Sequence, residues 1–388
     1  MSPNLAPAAE ADLATTAREV REALAGACRG LVEREALVDL VALAAVAGEH
    51  LLVIGPPGTA KSEAVRRAAR ATGATVFEYL LGRFTEPSEI FGPVDLRKLR
   101  EGVVETRTEG MLPEAEVAFL DEVFQGSTAI LNTLLGILNE RTFRRGHTVV
   151  ACPLRVCVGA SNALPDDEGL AAFADRFLLR AFLDPVPAPR LEELLEGGWA
   201  LGRGAPERRA SLAHLDRLAA AARAADLGGV RPLVAHAVRK LRAAGIALSD
   251  RRAVRLQSIV AAAAALAGRA QPGDADLWPI VFAVPGADGQ RLARDVLRDE
   301  LAPTENATLP AAAEDASAAP LARATRLARA GEEVFALRPG SGDAPALARW
   351  SLRLESVARE IDAGFPPEGL PPPLSALRAR IVEALGAR

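Results

Sequence analysis

Only three cysteines and four histidines occur in 388 residues. Cys28, Cys152 and Cys157 form no CxxC pair, which removes the zinc-ribbon and dithiol-redox classes. Free thiols are expected, buried where Cys152 and Cys157 lie beside an apolar strand. His50, His147, His214 and His236 are scattered without the spacing of a metal-ligand set. The longest small-apolar run, IVAAAAALAG, is about half of the roughly 20 residues that a membrane span needs. The first residues, MSPNLAPAAEADLATTAREV, have no basic head followed by an apolar core, so a cytoplasmic location is expected. An excess of one charge is missing too: 46 basic against 50 acidic residues leave a net charge of -4, with no global positive field for nucleic acid or anionic lipid. Without a DNA-binding motif or a GAFTGA-like loop, direct nucleic-acid contact is not expected. No internal repeat of about 20 to 50 residues is found.

What is present is an ordinary folded composition, 49% hydrophobic and 25% charged, on a chain long enough for two or three domains. Residues 12–47 read as two helices around the polar turn CRGLVERE. From Leu51 onward short apolar runs alternate with helical stretches, the pattern of a parallel sheet covered by helices. The expected strands are Leu51 to Ile54, Thr75 to Leu80, Val117 to Leu120, Leu154 to Ala160 and Phe177 to Leu183. The proline-dense DPVPAPR, residues 184–190, ends this α/β region, and Ala, Leu and Arg at helical spacing follow to about Leu301. The expected domains are therefore an α/β core over 1–185, an all-helical region over 186–301, a low-complexity linker over 302–320 and a helical segment over 321–388, with three helices.

GPPGTAKS, residues 55–62, lies between a buried strand and a helix, where backbone N–H groups and a helix N-terminus converge on an anion. Gly55, Pro56, Pro57, Gly58, Thr59, Ala60, Lys61, Ser62 and Glu63 form the nucleotide-binding candidate. Lys61 would reach the β- and γ-phosphates, and Ser62 would hold Mg2+. Ala60 stands where a second glycine is usual, adding one methyl. In VAFLDEV, residues 117–123, a strand delivers Asp121 and Glu122 to the carboxyl end of the sheet. There Asp121 suits Mg2+ and Glu122 suits the base that orients water. The strand LRVCVGASN ends in Asn162, which either holds the lytic water or γ-phosphate or caps its own turn. In LSDRRAVR, Ser249 and Asp250 read as a helix N-cap, yet Arg251, Arg252 and Arg255 crowd the first turns against the helix dipole, a conflict that a nearby anion would resolve.

These stretches, together with FEYLLGRFTEPSEIFGPVDL, GMLPEAEVAFLDEVF, AILNTLLGILNERTFRRG, ASNALP, DRFLLR and LSDRR in that order, resemble the MoxR family of AAA+ ATPases, most closely its RavA-like branch, over residues 30 to about 285. The resemblance implies an AAA+ P-loop core with a five-stranded parallel sheet and helices on both faces, followed by the helical lid. It places Lys61 and Ser62 in Walker A, Asp121 and Glu122 in Walker B and Asn162 at sensor 1. Arg176 would be the arginine finger, with Arg180 the alternative, and Arg251 the sensor 2 residue closing over nucleotide. Residues 90–116 resemble the family's helix 2 insert, a β-hairpin turning near Arg100 to Gly102, and 140–155 a second hairpin, on which Arg144 and Arg145 either meet an acidic partner or stay solvated. The implied function is Mg2+-dependent ATP hydrolysis by a hexameric ring of this chain that remodels or activates a partner, by the same resemblance a von Willebrand factor A domain protein. The alternative is the motor subunit of a metal chelatase.

Overall fold

The computed structural model describes residues 6–186, 190–201, 210–317, 320–339, 344–365 and 370–386. Five strands, β1 (Leu51–Ile54), β2 (Val76–Leu80), β3 (Val117–Asp121), β6 (Val156–Ser161) and β7 (Leu179–Phe182), form one parallel sheet in the order β2-β3-β6-β1-β7. Each falls within the stretch expected for it or one residue beyond. An all-parallel sheet must be covered on both faces, and alternate residues serve the two sides. Leu51 and Val53 join one apolar cluster with the helices Ala6–Cys28, Glu35–Ala47 and Lys61–Thr72, while Leu52 and Ile54 join another with the helix Thr128–Glu140.

The first of these clusters continues without a break into the helices Leu212–Ala224 and Asp250–Leu266, which pack against Ala6–Cys28 and Glu35–Ala47. The all-helical region therefore lies on the back of the core through the N-terminal helices. Residues 302–317 are also not the free linker that their composition suggested. Asn306, Thr308, Leu309, Ala312, Ala313 and Ala316 are buried, and the helix Pro310–Ser317 lies on Glu35–Ala47. Its N-terminus is capped from across the core by Asp39, whose Oδ2 accepts from Ala311 N at 2.9 Å and Ala312 N at 3.1 Å. Low complexity here is small-residue packing, since alanines let helices approach closely.

The helices Pro320–Ala336, Ala344–Gly364 and Pro372–Gly386 match the three expected after the second break and close a separate apolar cluster around Leu327, Leu354, Ile361 and Leu374.

The insert differs from the hairpin expected of it. One isolated bridge, Val94 to Thr106, closes its base, and its tip is a helical turn, Leu96–Arg100. Asp95 accepts from Arg97 N and Lys98 N, so an N-cap plus the helix-forming LRKLR outcompetes a strand pair. The second hairpin is present as β4 (Thr142–Arg145) and β5 (Thr148–Ala151). It docks on the insert: His147 N donates to Val104 O at 2.9 Å and Thr106 N to Thr148 Oγ1 at 2.7 Å. Arg145 bonds Gly92 O at 3.3 Å, so it faces the insert, while Arg144 is exposed.

Candidate functional site

The chain turns out of β1 through Gly55, where a Cβ would stand 2.7 Å from Leu183 O; only glycine passes beside the end of β7. The loop then carries Gly58 at φ 77° and Ala60 at φ 57° into the helix Lys61–Thr72. Ala60 thus occupies a left-handed position at a cost of about 1–2 kcal/mol that glycine would avoid. The missing glycine matters through backbone conformation as well as through the added methyl. Lys61 is 7% exposed, and its Nζ donates to Gly55 O at 2.6 Å, placing the ammonium within the loop's own curve. Thr59 Oγ1 donates to Pro56 O at 2.9 Å and braces the turn.

Adjacent strands bring the acids and the amide together. β3 ends at Asp121, and Glu122 follows at φ 48°, another non-glycine residue in left-handed conformation. Glu122 N donates to Asp121 Oδ1 at 3.0 Å. Asn162, one residue beyond β6, donates from Nδ2 to Glu122 Oε1 at 2.8 Å. The amide is therefore engaged with a carboxylate rather than with its own turn. Lys61, Ser62, Asp121, Glu122 and Asn162 all stand at the carboxyl edge of the sheet, outside β1, β3 and β6. The donor set of Ser62 hydroxyl and Asp121 carboxylate is hard oxygen, which suits Mg2+ completed by phosphate and water. Among the described residues no cluster of three or more His, Cys, Asp or Glu offers a protein-only metal cage. None of the three cysteines forms a disulfide; Cys152 and Cys157 are buried and Cys28 half-buried. Burial pushes the Cys157 thiol up to about 12.

The arginines are elsewhere. Arg176 precedes β7, whose Leu179 N donates to His50 O just before β1, so it stands at the amino-terminal edge of the sheet. Arg251 is exposed there too: its Nη2 donates to Asn139 Oδ1 at 2.9 Å, beside Leu138, whose carbonyl bonds His50 Nε2. Four strand residues, about 13 Å, separate this edge from the phosphate loop. Arg251 is thus not on a lid closing over its own chain's nucleotide, because the helix Asp250–Leu266 is held on the back of the core.

The expected conflict at that helix start is real, and the chain resolves it internally. Ser249 caps Arg252 N, Arg252 Nε bonds Asp175 Oδ1 at 2.6 Å, and Arg255 pairs with Glu49. Arg252 is 1% exposed and also donates to the carbonyls of Phe177, Leu178 and Ala283. Arg180, the alternative finger, is 6% exposed and donates to Pro285 O at 2.5 Å; burial beside Arg252 brings its pKa down to about 10. It is a strut inside the chain and cannot reach a neighbour. Arg176, half-buried, has an Nε with no hydrogen-bond partner.

Two buried groups went unnoticed in the sequence. His50, 1% exposed, accepts from Cys157 N at Nδ1, and its Nε2 meets both Leu138 O and the Arg141 guanidinium. Arg34, 4% exposed, donates from Nε to Thr59 O and from Nη2 to Asp184 O, both at 2.7 Å. No period or motif distinguishes a structural arginine in a polar turn from a solvated one.

Residues 18–220 match the family model described as the MoxR domain in the MoxR-vWA-beta-propeller ternary systems. Two uncharacterized proteins of Methanocaldococcus jannaschii are 35% and 34% identical over 247 and 248 residues, in each case 63% of this chain. The matched part spans 64% and 66% of those relatives, slightly under two thirds of their length. The chaperone MoxR1 of Mycobacterium tuberculosis is 27% identical over 216 residues, 55% of this chain and 56% of its own. A crystal structure from Cytophaga hutchinsonii, named as a candidate ATPase, superimposes with a TM-score of 0.61 at 16% identity over 76% of this chain and 96% of that one, a likeness of fold. With its sheet order, its loop and a family match over more than half its length, the chain belongs to the MoxR family of AAA+ ATPases.

Proposed function

We propose that the chain hydrolyses ATP with Mg2+ and does so within a closed ring of its own copies. The observation that carries the reading is the Asn162–Glu122 hydrogen bond at the carboxyl edge, beside the Lys61 loop. Glu122 orients and deprotonates water, Asn162 holds that carboxylate in place, Asp121 and Ser62 hold Mg2+, and Lys61 with the loop amides takes the phosphates. The expected outcome is Mg2+-dependent release of phosphate that Lys61→Ala abolishes and Glu122→Gln lowers by about a hundredfold or more. Full hydrolysis by either variant would refute the assignment.

The position of the arginines supports the ring reading. A cation about 13 Å away across the sheet cannot serve its own γ-phosphate, but head-to-tail stacking sets the amino-terminal edge of one subunit against the carboxyl edge of the next. Arg176 is then the finger offered to the neighbour's nucleotide, and exposed Arg251 joins it across the same interface. Hexameric closure is the family's usual number and is carried over as such, as is the RavA-like branch. The work done is remodelling or activation of a partner protein. The family model's own systems include a vWA protein, which favours a von Willebrand factor A domain as that partner. Among the described residues no helix is long and apolar enough to cross a membrane.

A further inference from the structure

Arg34 has a role that neither motif nor family match assigns. It ends the turn between the helices Ala6–Cys28 and Glu35–Ala47, and its planar guanidinium donates in two directions, to Thr59 O and to Asp184 O, as well as to Glu33 O. All the hydrogen bonds described for it end on main-chain carbonyls, and burial lowers its pKa. Glu33, Glu35 and Asp184 offset that burial in part through space, yet a desolvated cation with no carboxylate among its described hydrogen bonds is still a costly device for joining two loops. The contact is reciprocated from the helix that follows the phosphate loop, where buried Arg67 donates to Arg29 O at 2.8 Å. The turn 29–34 is therefore fastened to the loop at one end and to its helix at the other.

We propose that Arg34 is the positioning residue of the phosphate loop, holding it in its binding conformation where Ala60 replaces glycine. This rests on the ATP reading above. In a trans peptide the carbonyl and the next N–H point in opposite directions. Holding Thr59 O against Arg34 turns the Ala60 N–H away from Arg34, toward the exposed side of the loop, and fixes the peptide that leads into the left-handed residue. A glycine at 60 would adopt that conformation unaided. Arg34 and Ala60 are thus a coupled pair, and the tie to Asp184 anchors the same peptide to the end of β7.

The test uses the full chain carrying Arg34→Lys or Arg34→Met, each with and without Ala60→Gly, with KM for ATP, kcat and melting temperature measured. Lysine keeps the charge but cannot span both carbonyls. Arg34→Lys is expected to raise KM about tenfold, the size of one lost charge-assisted hydrogen bond, with a much smaller change in kcat. Ala60→Gly should lower KM several-fold more in the Arg34 variants than in the chain that keeps Arg34. Asp39→Ala, which uncaps the helix Pro310–Ser317, should lower the melting temperature without moving KM. An unchanged KM in Arg34→Lys, or the same Ala60→Gly effect with and without Arg34, overturns the proposal. So does a failure of both Arg34 variants to fold that Ala60→Gly does not relieve. If the unaltered chain does not bind ATP, the ATP reading falls and takes this inference with it.

Discussion

Asn162 Nδ2 donates to Glu122 Oε1 at 2.8 Å, joining the tips of β6 and β3. A carboxylate restrained in this way can hold one water in line with a phosphate. Glu122→Gln is expected to lower kcat by about 10²–10⁴ while ATP still binds. Asn162→Ala should cost about 10²–10³. Single-turnover hydrolysis alongside equilibrium nucleotide binding separates the two steps; weakened binding with normal turnover would reassign both residues.

Arg176 and Arg251 stand at the far edge of the sheet from Lys61, so their loss should be complementable between chains. Arg176→Ala alone is expected to lose about 10³-fold in kcat, as Lys61→Ala should lose all activity. Mixed rings regain it, because an intact finger on the Lys61→Ala subunit meets an intact loop on the Arg176→Ala subunit. Absence of any recovery in co-assembled rings would remove the inter-subunit role.

Ala60→Gly should stabilise the chain by up to about 1 kcal/mol, since relief of left-handed strain outweighs the added freedom of the unfolded chain. Denaturant midpoints of the two proteins give the sign directly.

His50 is buried, and burial first, then Arg141 and Arg255, drive its pKa well below the ordinary 6.5. The unfolded chain takes up a proton as pH falls through about 6.5, and the folded chain does not. Stability is therefore held above that pH and lost below it, at up to about 1.4 kcal/mol per pH unit. His50→Gln should lower stability at neutral pH and flatten the slope between pH 6.5 and 5 relative to the unaltered chain. Parallel slopes would show that His50 titrates normally.

Asp39→Ala removes the oxygen that accepts from both Ala311 N and Ala312 N and is expected to cost about 1–3 kcal/mol. Hydrogen exchange at residues 310–317 locates the loss; protection there unchanged would mean that the helix is held by its alanine packing alone.

The α/β core was legible because β1, β3 and β6 are short fully apolar runs that end in polar residues, and because Gly55, Lys61, Asp121 and Glu122 fall at those ends. What sequence missed depends on contacts distant along the chain. Arg252 and Arg251 are neighbours of one type, yet one is buried on Asp175 and the other is exposed beside Asn139. The periodicity of their helix cannot say which face meets the core. LRKLR reads as one arm of a hairpin until the cap from Asp95 is seen. The alanines of 310–317 read as filler because packing by small side chains leaves no apolar periodicity.

Leu24 and Val41 from the first two helices and Leu215 from beyond the proline-dense break line one small apolar pocket. That break looks like a place to divide the chain, but the division would strip cover from the N-terminal helices. A fragment ending at residue 185 exposes the apolar faces that Leu212–Ala224 and Asp250–Leu266 cover. The visible seam in the sequence and the seam along which the molecule could be taken apart are different places.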